Sequence, residues 1–292
     1  MTIDAQALNR WANKATVIRC SSLTGYPDCP RRGATRLFWR EIVAAGFRLR
    51  SVRRGIGAAV GTAVHAAAAA VFGEKAKTGE LPPESVALDA TVSSLSRAIG
   101  DGPIEYDGPR GVTHNLAQAE AQSLRMTRAY FRIVAPTVDP IIVEERLEAE
   151  VAPGLVLSGT PDLVAREPRA VRDLKTGARM GSHAPQIGGY SLLARSHALD
   201  IDSAAIDWVQ RAAVGKPQAD PVSVAVKVAE AETAASNIIR HIEADLRTFR
   251  EGDAARRIRP GDPWAFLANP ASMLCSPKYC SAHGTDFCHE GR

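Results

Sequence analysis

Residues 154–177 read GLVLSGTPDLVAREPRAVRDLKTG, and this stretch is the most informative part of the chain about its fold. It contains two short runs rich in valine and leucine, which favour β-strands, separated by the turn-forming sequence REPR. If residues 166–169 form a hairpin loop, Ala165 pairs with Ala170 and the register of both strands is fixed. The stretch therefore predicts an antiparallel β-hairpin.

The register of this hairpin brings charged side chains together. Asp162 lies opposite Asp173, and strand alternation puts Val171 and Lys175 on the same face as Asp173. Two carboxylates this close repel each other unless a cation lies between them, and oxygen ligands of this kind suit Mg²⁺ or Mn²⁺. The alternative that the spacing leaves open is a surface hairpin with an ordinary Asp–Lys ion pair.

The segments around the hairpin predict an α/β fold with a mixed central sheet and flanking helices. The β-prone run IIVEERLEAEV at 141–151 precedes the hairpin, giving three short strand regions in a row. A helix over about 182–198 and a strand over about 203–210 follow. Residues 216–226 predict another strand, and 227–251 a long amphipathic helix.

The N-terminal part has a different pattern. Residues 1–30 are polar and rich in turn-forming residues, which indicates an irregular lead-in. Alanine-rich residues 61–72 predict a buried helix, and another helix is expected from about 114 to 134. We therefore divide the chain into an N-terminal helical part (1–134), a core (135–215) and a C-terminal strand, helix and cysteine-rich segment (216–292).

Composition narrows the class of protein. The 292 residues are 45% hydrophobic and 23% charged, which is ordinary for a globular protein. No run of about 20 uninterrupted apolar residues and no signal peptide is recognisable, so we expect a soluble cytoplasmic protein without membrane contact. Between residues 31 and 54, eight arginines face one acid, Glu41, and such a basic stripe suits a polyanion or forms a solvated helix face.

The cysteines need an explanation of their own. Five in a chain of 292 are too few for a disulfide framework. Cys275, Cys280 and Cys288 lie close together near the C-terminus, and Cys29 lies near the other end. Thiolates bind iron–sulfur clusters and structural zinc, so these four could clamp the chain ends together. Cys20 fits no such spacing and is expected to be a buried apolar residue.

The motifs GTPDLV (159–164), VRDLKTG (171–177) and QIGGY (186–190) resemble those of the PD-(D/E)XK nucleases, specifically the RecB-like exonuclease branch. The resemblance implies that Asp162, Asp173 and the main-chain carbonyl of Leu174 bind a catalytic Mg²⁺ or Mn²⁺. It also implies that Lys175 assists the attacking water.

Further residues of this branch have counterparts here. Gln186 and Tyr190 match its Q-x-x-x-Y motif, which supports the active site, although by spacing alone they read as packing residues. Gly188 and Gly189 between them weaken a helix and suggest close approach to a neighbouring backbone. His65, in GTAVHAAAAAVF, resembles the histidine that adds a metal ligand in the same branch. Two acids in the preceding strand region could reach the outer shell of the metal, Glu145 and Glu148.

The cysteine layout is also similar to that branch. Enzymes such as the AddB nuclease domain and the CRISPR-associated adaptation exonucleases hold a [4Fe–4S] cluster with one early cysteine and three late ones. The wider spacing of the late cysteines here, and the nearby His283 and His289, keep zinc open as the alternative. The CPRR sequence at 29–32 resembles the N-terminal motif of the family, which implies DNA-binding roles for Arg31, Arg32 and Arg36.

These observations predict a metal-dependent deoxyribonuclease, an exonuclease that acts on single-stranded ends. No P-loop is recognisable, so a helicase or a recombination or adaptation partner would be a separate chain. Two rival functions are a DNA-binding or adaptation-complex subunit with weak, gated or vestigial nuclease activity, and a zinc-clamped interaction protein with incidental acids.

Overall fold

The computed structural model describes residues 15–102, 104–106, 112–213 and 215–288, in which helices and strands alternate. The helices are α1 (Cys20–Leu23), α2 (Pro30–Leu37), α3 (Trp39–Ala44), α4 (Ile56–Thr78), α5 (Glu84–Gly100), α6 (Val112–Ile133), α7 (Ala184–Ser196) and α8 (Val228–Glu251). The strands are β1 (Thr16–Arg19), β2 (Arg54–Gly55), β3 (Ile104–Glu105), β4 (Pro140–Val143), β5 (Leu147–Ala152), β6 (Leu155–Gly159), β7 (Leu163–Ala165), β8 (Ala170–Gly177), β9 (Ser203–Gln210) and β10 (Val222–Val226).

A five-stranded sheet in the order β10-β9-β8-β7-β4 forms the centre of the fold. Strands β8 and β9 are parallel, and the other neighbours are antiparallel. A second sheet has the order β1-β6-β5, and β2 pairs with β3. The predicted α/β class with a mixed central sheet and flanking helices is confirmed.

The motif hairpin has the predicted register. Ala165 pairs with Ala170 and Val164 with Val171, and a turn over 166–169 joins β7 to β8. The pattern of burial follows strand alternation, since Val164 and Val171 contribute to one hydrophobic core and Leu174 to the other. The sheet is therefore covered on both faces, which explains why its strands are so apolar.

Two of the predicted β-prone runs each form two separate strands, because the strand is interrupted within the run. The run 141–151 forms β4 and β5 in different sheets, because Glu144 has a positive φ of 48° that ends the first strand. The run containing the PD motif likewise forms β6 and β7 in different sheets. It breaks at Pro161, which has no N–H to donate to a ladder.

Strands β1 and β10 also differ from the sequence predictions. Residues Thr16–Arg19, expected to be irregular, form β1, which alternates between buried and exposed residues and pairs in parallel with β6. Strand β10 is confined to Val222–Val226 instead of spanning 216–226. Two prolines remove ladder donors from the earlier part of that segment, Pro217 and Pro221.

The hydrophobic core to which Leu174 contributes is called the second core here. Helix α4 is its central helix and packs beside α5 and α6. Its length and mean hydropathy of 1.6 would allow it to cross a membrane, but half of that window is buried inside the protein, as in a core helix. A Cβ at Gly61 would lie 2.8 Å from Thr176 Oγ1, so glycine allows α4 to approach β8 closely. This approach brings the next turn of α4, which carries His65, to the edge of the sheet.

The C-terminal segment folds back onto the start of the chain. Arg31 N–H donates to Leu267 O at 3.0 Å, and Arg50 N–H donates to Ser281 O at 2.8 Å. A group of aromatic rings from both ends fills the space between them: Phe38, Phe47, Phe249, Phe266 and Phe287. The core to which Val164 and Val171 contribute, called the first core here, thus includes side chains from the N-terminal, middle and C-terminal parts of the chain.

Candidate functional site

Asp162 is held between β8 and α4, directly before β7. Its Oδ2 accepts a hydrogen bond from Leu174 N–H at 2.7 Å, and its Oδ1 lies 3.0 Å from His65 Nδ1. Burial alone would raise the pKa of Asp162, but the His65 and Lys175 charges and the Leu174 N–H together hold that pKa below its ordinary value. Asp162 therefore carries a negative charge fixed in orientation.

Asp173 lies on β8 and is only 1% exposed. Its Oδ2 lies 2.6 Å from Lys175 Nζ, and its Oδ1 accepts a hydrogen bond from Gln186 Nε2 at 3.3 Å. Burial and the charge of Asp162 raise the pKa of Asp173 to about 6, against the opposing effect of Lys175. The buried Oδ2 therefore has the Lys175 ammonium as its close charged neighbour.

Glu144 is a site residue that the sequence interpretation missed. One ligand atom each from His65, Glu144 and Asp162 lies within 4.8 Å of the others, a grouping that could hold a metal ion. Burial and the charge of Asp162 raise the pKa of Glu144 to about 7. Asp173 is outside this triplet and adjoins it through its electrostatic interaction with Asp162.

The two acids chosen from the sequence, Glu145 and Glu148, point elsewhere. Both are exposed, and Glu148 forms an ion pair with Arg146. The positive φ at Glu144 turns the chain at the end of β4, so the side chain that reaches the site belongs to this residue. The sequence feature that could have indicated Glu144 is its position directly after a predicted strand. The sequence of residues 141–151 does not show at which residue that strand ends.

Gln186 and Tyr190 lie on α7 and are buried beside Asp173. Gln186 Nε2 donates to Tyr190 Oη at 2.8 Å as well as to Asp173 Oδ1, so the helix orients the carboxylate. A Cβ at Gly188 would lie 1.9 Å from Ala231 O on α8, which confirms the expected close approach of two backbones. At Gly189 the nearest atoms are side chains of α1 instead.

His183, at the start of α7, also lies near the charged group. Burial and the charge of Lys175 lower the pKa of His183 to about 4, which keeps its imidazole neutral at physiological pH. The sequence interpretation included His183 in the helix predicted over about 182–198 and did not select it as a site residue.

The structure places the four cysteines of interest, Cys29, Cys275, Cys280 and Cys288, around one small cavity, which His283 also lines. Cys280 Sγ accepts main-chain N–H donors from Ala282 and His283. Burial raises the pKa of the Cys280 thiol, and the adjacent thiols of Cys29 and Cys288 add to the effect. His289, the other histidine considered as a ligand, lies outside the described residues.

Cys20 is fully buried in the first core, as expected, and does not line the cavity. It lies beside the active-site helix, because a Cβ at Gly189 would be 3.0 Å from its sulfur atom. The residue is therefore a packing residue of the sheet region.

The predicted DNA-binding roles of Arg31 and Arg32 are not compatible with their positions. Both side chains are buried. Arg31 Nε donates to Phe266 O at 3.1 Å, and Arg32 forms an ion pair with Asp28 at 2.8 Å. These guanidinium groups join the chain ends, whereas Arg36, one turn further along α2, is exposed.

Comparisons with known proteins place the chain in context. Residues 20–285 match the family model described as PD-(D/E)XK nuclease superfamily. A provisionally assigned exonuclease from Eubacterium rectale aligns over 87% of this chain and 88% of its own, with a TM-score of 0.51 and 11% identity, a likeness of fold. A phage-related exonuclease from Haemophilus somnus 129PT is 16% identical over 68% of this chain and 97% of its own, with a TM-score of 0.25. No curated protein sequence matches this one.

Proposed function

Since the chain belongs to the PD-(D/E)XK nuclease superfamily, we propose that it is a divalent-metal-dependent deoxyribonuclease, an exonuclease of the RecB-like type that acts on single-stranded ends. The observation that carries this proposal is the convergence of Asp162, Asp173 and Lys175 at the central strand β8, beside His65 and Glu144. These side chains come from three separate parts of the chain.

The side chains at this site fit a hard divalent cation. PD-(D/E)XK nucleases generally use such ions, and carboxylate oxygens are the ligands that Mg²⁺ and Mn²⁺ prefer. The raised pKa values of Asp173 and Glu144 reflect desolvation together with negative charge crowded around Asp162, which a cation would relieve. Asp173 Oδ2 is buried and lies 2.6 Å from the Lys175 ammonium, so the carboxylate and the lysine share one charged pocket in which a cation could also bind.

We assign the metal ligands to Asp162, Asp173, the Leu174 carbonyl and His65, with Glu144 added from the geometry. When bound, the ion would polarise a phosphate oxygen and lower the pKa of a water molecule.

The other side chains position and balance charge. Lys175 Nζ, close to Asp173, can orient the attacking water and neutralise negative charge that develops on the phosphate. Leu174 N–H and Gln186 Nε2 hold the two aspartates in fixed orientations, which reduces the reorganisation needed during the reaction.

We further propose that Cys29, Cys275, Cys280 and Cys288 hold a [4Fe–4S] cluster, with structural zinc as the alternative. Four thiols around one small cavity, and main-chain N–H groups directed at Cys280 Sγ, support a bound thiolate-ligated group. The visible spectrum of protein purified without oxygen separates the two. A broad band at roughly 400 nm is expected for iron–sulfur, and a colourless protein would exclude it.

The nuclease proposal is tested with Asp173→Ala and Lys175→Ala. We expect each to lower Mn²⁺-dependent degradation of end-labelled single-stranded DNA at least about 1000-fold, because charge stabilisation at such a site contributes several kcal/mol. Asp200→Ala is the matched control, since this aspartate side chain is 93% exposed.

Circular dichroism should show the same secondary structure in all of these variants. Full activity of folded Asp173→Ala protein would contradict the assignment. Binding of DNA by wild-type protein without any cleavage would favour the rival function, a DNA-binding or adaptation subunit. Parallel assays with end-labelled double-stranded DNA report polarity and strand preference.

A further inference from the structure

A groove runs along the surface next to the proposed active site. Its inner part is lined by Tyr190, Thr160 and Ser158 together with Arg19 and Arg146. Its outer part is lined by the same two arginines and by residues around the start of α3: Arg36, Trp39 and Arg40. Arg19 and Arg146 line both parts, so the two depressions adjoin each other at these side chains.

The groove begins close to the catalytic residues. Strands β1 and β6 are parallel, and Arg19 pairs with Ser158. Ser158 precedes Asp162 by four residues, so their Cα atoms are at most about 14 Å apart. Tyr190 bonds to Gln186, which in turn contacts Asp173. A DNA strand lying in the groove would therefore lead directly to the proposed active site.

The charge of the groove is positive. It is lined by four exposed arginines: Arg19, Arg36, Arg40 and Arg146. The acid in its lining, Glu41, is buried and already bonded through both carboxylate oxygens to Arg250.

Arg146 pairs with an acid, Glu148, but it does so at the surface, where its own side chain is 65% exposed. Surface pairs of this kind contribute little stability and can exchange a carboxylate for a phosphate. The groove therefore presents a row of guanidinium groups to solvent.

Trp39 supplies a second feature that points to a nucleic acid. It is a large aromatic residue that is 51% exposed at the outer end of the groove. The guanidinium carbon of Arg40 lies 5.5 Å from the centroid of its ring. An exposed aromatic face beside arginines is the combination on which unpaired bases stack in proteins that bind single strands.

We propose that a single strand of DNA lies in this groove, with its phosphates on Arg19, Arg146 and Arg36 and one base stacked on Trp39. This inference rests on the proposed nuclease function and names the path by which its substrate reaches the site. A single strand is favoured because stacking on Trp39 needs an exposed base face, which a duplex hides.

The test measures binding of a fluorescein-labelled oligothymidylate to the full-length protein by anisotropy, with Ca²⁺ in place of Mn²⁺ to suppress cleavage. We expect Trp39→Ala to weaken binding about 5- to 100-fold and Trp39→Phe to retain most of it. Trp264→Ala is the control, because Trp264 is 58% exposed but lines neither part of the groove.

The arginines are tested through salt dependence. Arg146→Gln should reduce the slope of log K against log salt by about 0.7, the value for one phosphate contact on a single strand. Arg132→Gln should leave the slope unchanged, since Arg132 is similarly exposed (66%) and similarly paired with a glutamate, but lies on α6.

Binding by Trp39→Ala and Arg146→Gln at the level of their controls would overturn the groove while leaving the nuclease assignment untouched. Equal affinity for a duplex of the same length, equally weakened by Trp39→Ala, would overturn the single strand as occupant. Loss of binding in these variants, combined with a wild-type protein that never cleaves DNA with Mn²⁺, would support the groove and contradict the nuclease.

Discussion

The oxygen-rich site around Asp162 and the cysteine-lined cavity around Cys280 are built in opposite ways. Asp173 and Gln186 project from a strand and a helix, whose backbone hydrogen bonds hold them in position. The four cysteines of the cavity lie in irregular backbone at the two ends of the chain. The first site is therefore preorganised by the fold, whereas the second would depend on the proposed bound group to hold its four thiols together.

The two sites also differ in how a bound group would affect the stability of the fold. At the acid site, buried like charges oppose folding until a cation binds, as the raised pKa of Asp173 indicates. At the cysteine cavity, a group bound by the four thiols would tie the C-terminal segment to the start of α2 and so stabilise the fold. Removing a ligand should therefore affect activity at one site and integrity at the other.

The largest effect is expected at the cysteine cavity. Cys280→Ala should abolish the visible absorption and lower the Tm by about 10 °C or more, because thiolate-ligated structural metals contribute on the order of 10 kcal/mol to folding. Limited proteolysis should then cleave the segment after α8. Absorption spectra, thermal melting and mass spectrometry of the fragments are the measurements.

Two control variants sharpen this prediction. Cys20→Ala removes a buried thiol outside the cavity and should leave the spectrum unchanged. His283→Ala should also preserve the spectrum if four thiolates bind iron, while loss of the bound metal in this variant would favour zinc. An unchanged Tm and spectrum in Cys280→Ala would show that the two sites do not differ as described.

An effect of intermediate size is expected at the acid site, where removal of a charge should increase the stability of the fold. The folded pKa of Asp173 is raised to about 6 from 3.8, so ionisation of this group destabilises the fold as the pH rises through that interval. In EDTA at pH 7.5, Asp173→Asn should raise the free energy of unfolding by up to about 3 kcal/mol. The gain should shrink as the pH falls through 6 and be small at pH 4, where the folded carboxyl is protonated and the unfolded carboxyl, with its ordinary pKa of 3.8, is only partly ionised.

Denaturant unfolding of wild-type and Asp173→Asn protein at pH 4, 6 and 7.5 checks the sign. Addition of Mn²⁺ should stabilise the wild-type protein and not the variant, because the variant lacks a charged ligand. A variant less stable than the wild type at pH 7.5 in EDTA would contradict the idea that the site holds uncompensated charge.

The smallest effect concerns a residue that acts through another. Gln186→Ala removes the amide that orients Asp173 and should weaken Mn²⁺ binding about 10- to 100-fold in calorimetry, with little change in Tm. Tyr190→Phe keeps the packed ring and removes the hydroxyl that accepts from Gln186, so its effect should be smaller. Equal Mn²⁺ affinity in Gln186→Ala and wild type would reduce Gln186 to a packing residue.

Local features could be predicted because the determining residues are close together in sequence. The REPR loop fixes the pairing of Ala165 with Ala170, so the relation of Asp162 to Asp173 follows from counting. The glycine at position 188 likewise indicated a close backbone approach, which occurs against α8. In both cases a steric or hydrogen-bonding rule acts within a few residues.

Features that depend on distant partners could not be predicted. The choice of Glu144 over Glu145 follows from β4 and β5 joining different sheets. The burial of Arg31 follows from Phe266, 235 residues away, whose carbonyl group accepts its hydrogen bond. The basic stretch at 31–54 contributes Arg36 and Arg40 to the groove, but Arg19 and Arg146 lie outside that stretch.

The sequence by itself determined the α/β class and the motif hairpin and singled out the two aspartates, the lysine and the cysteines as candidates, because strand alternation, turn chemistry and ligand type are local properties. The tertiary structure decided which of those side chains meet, since contacts between His65 and Asp162 or among Cys29, Cys280 and Cys288 require separate elements to pack. It also decided which arginines face water, because burial depends on what covers a surface and not on the residues that form it.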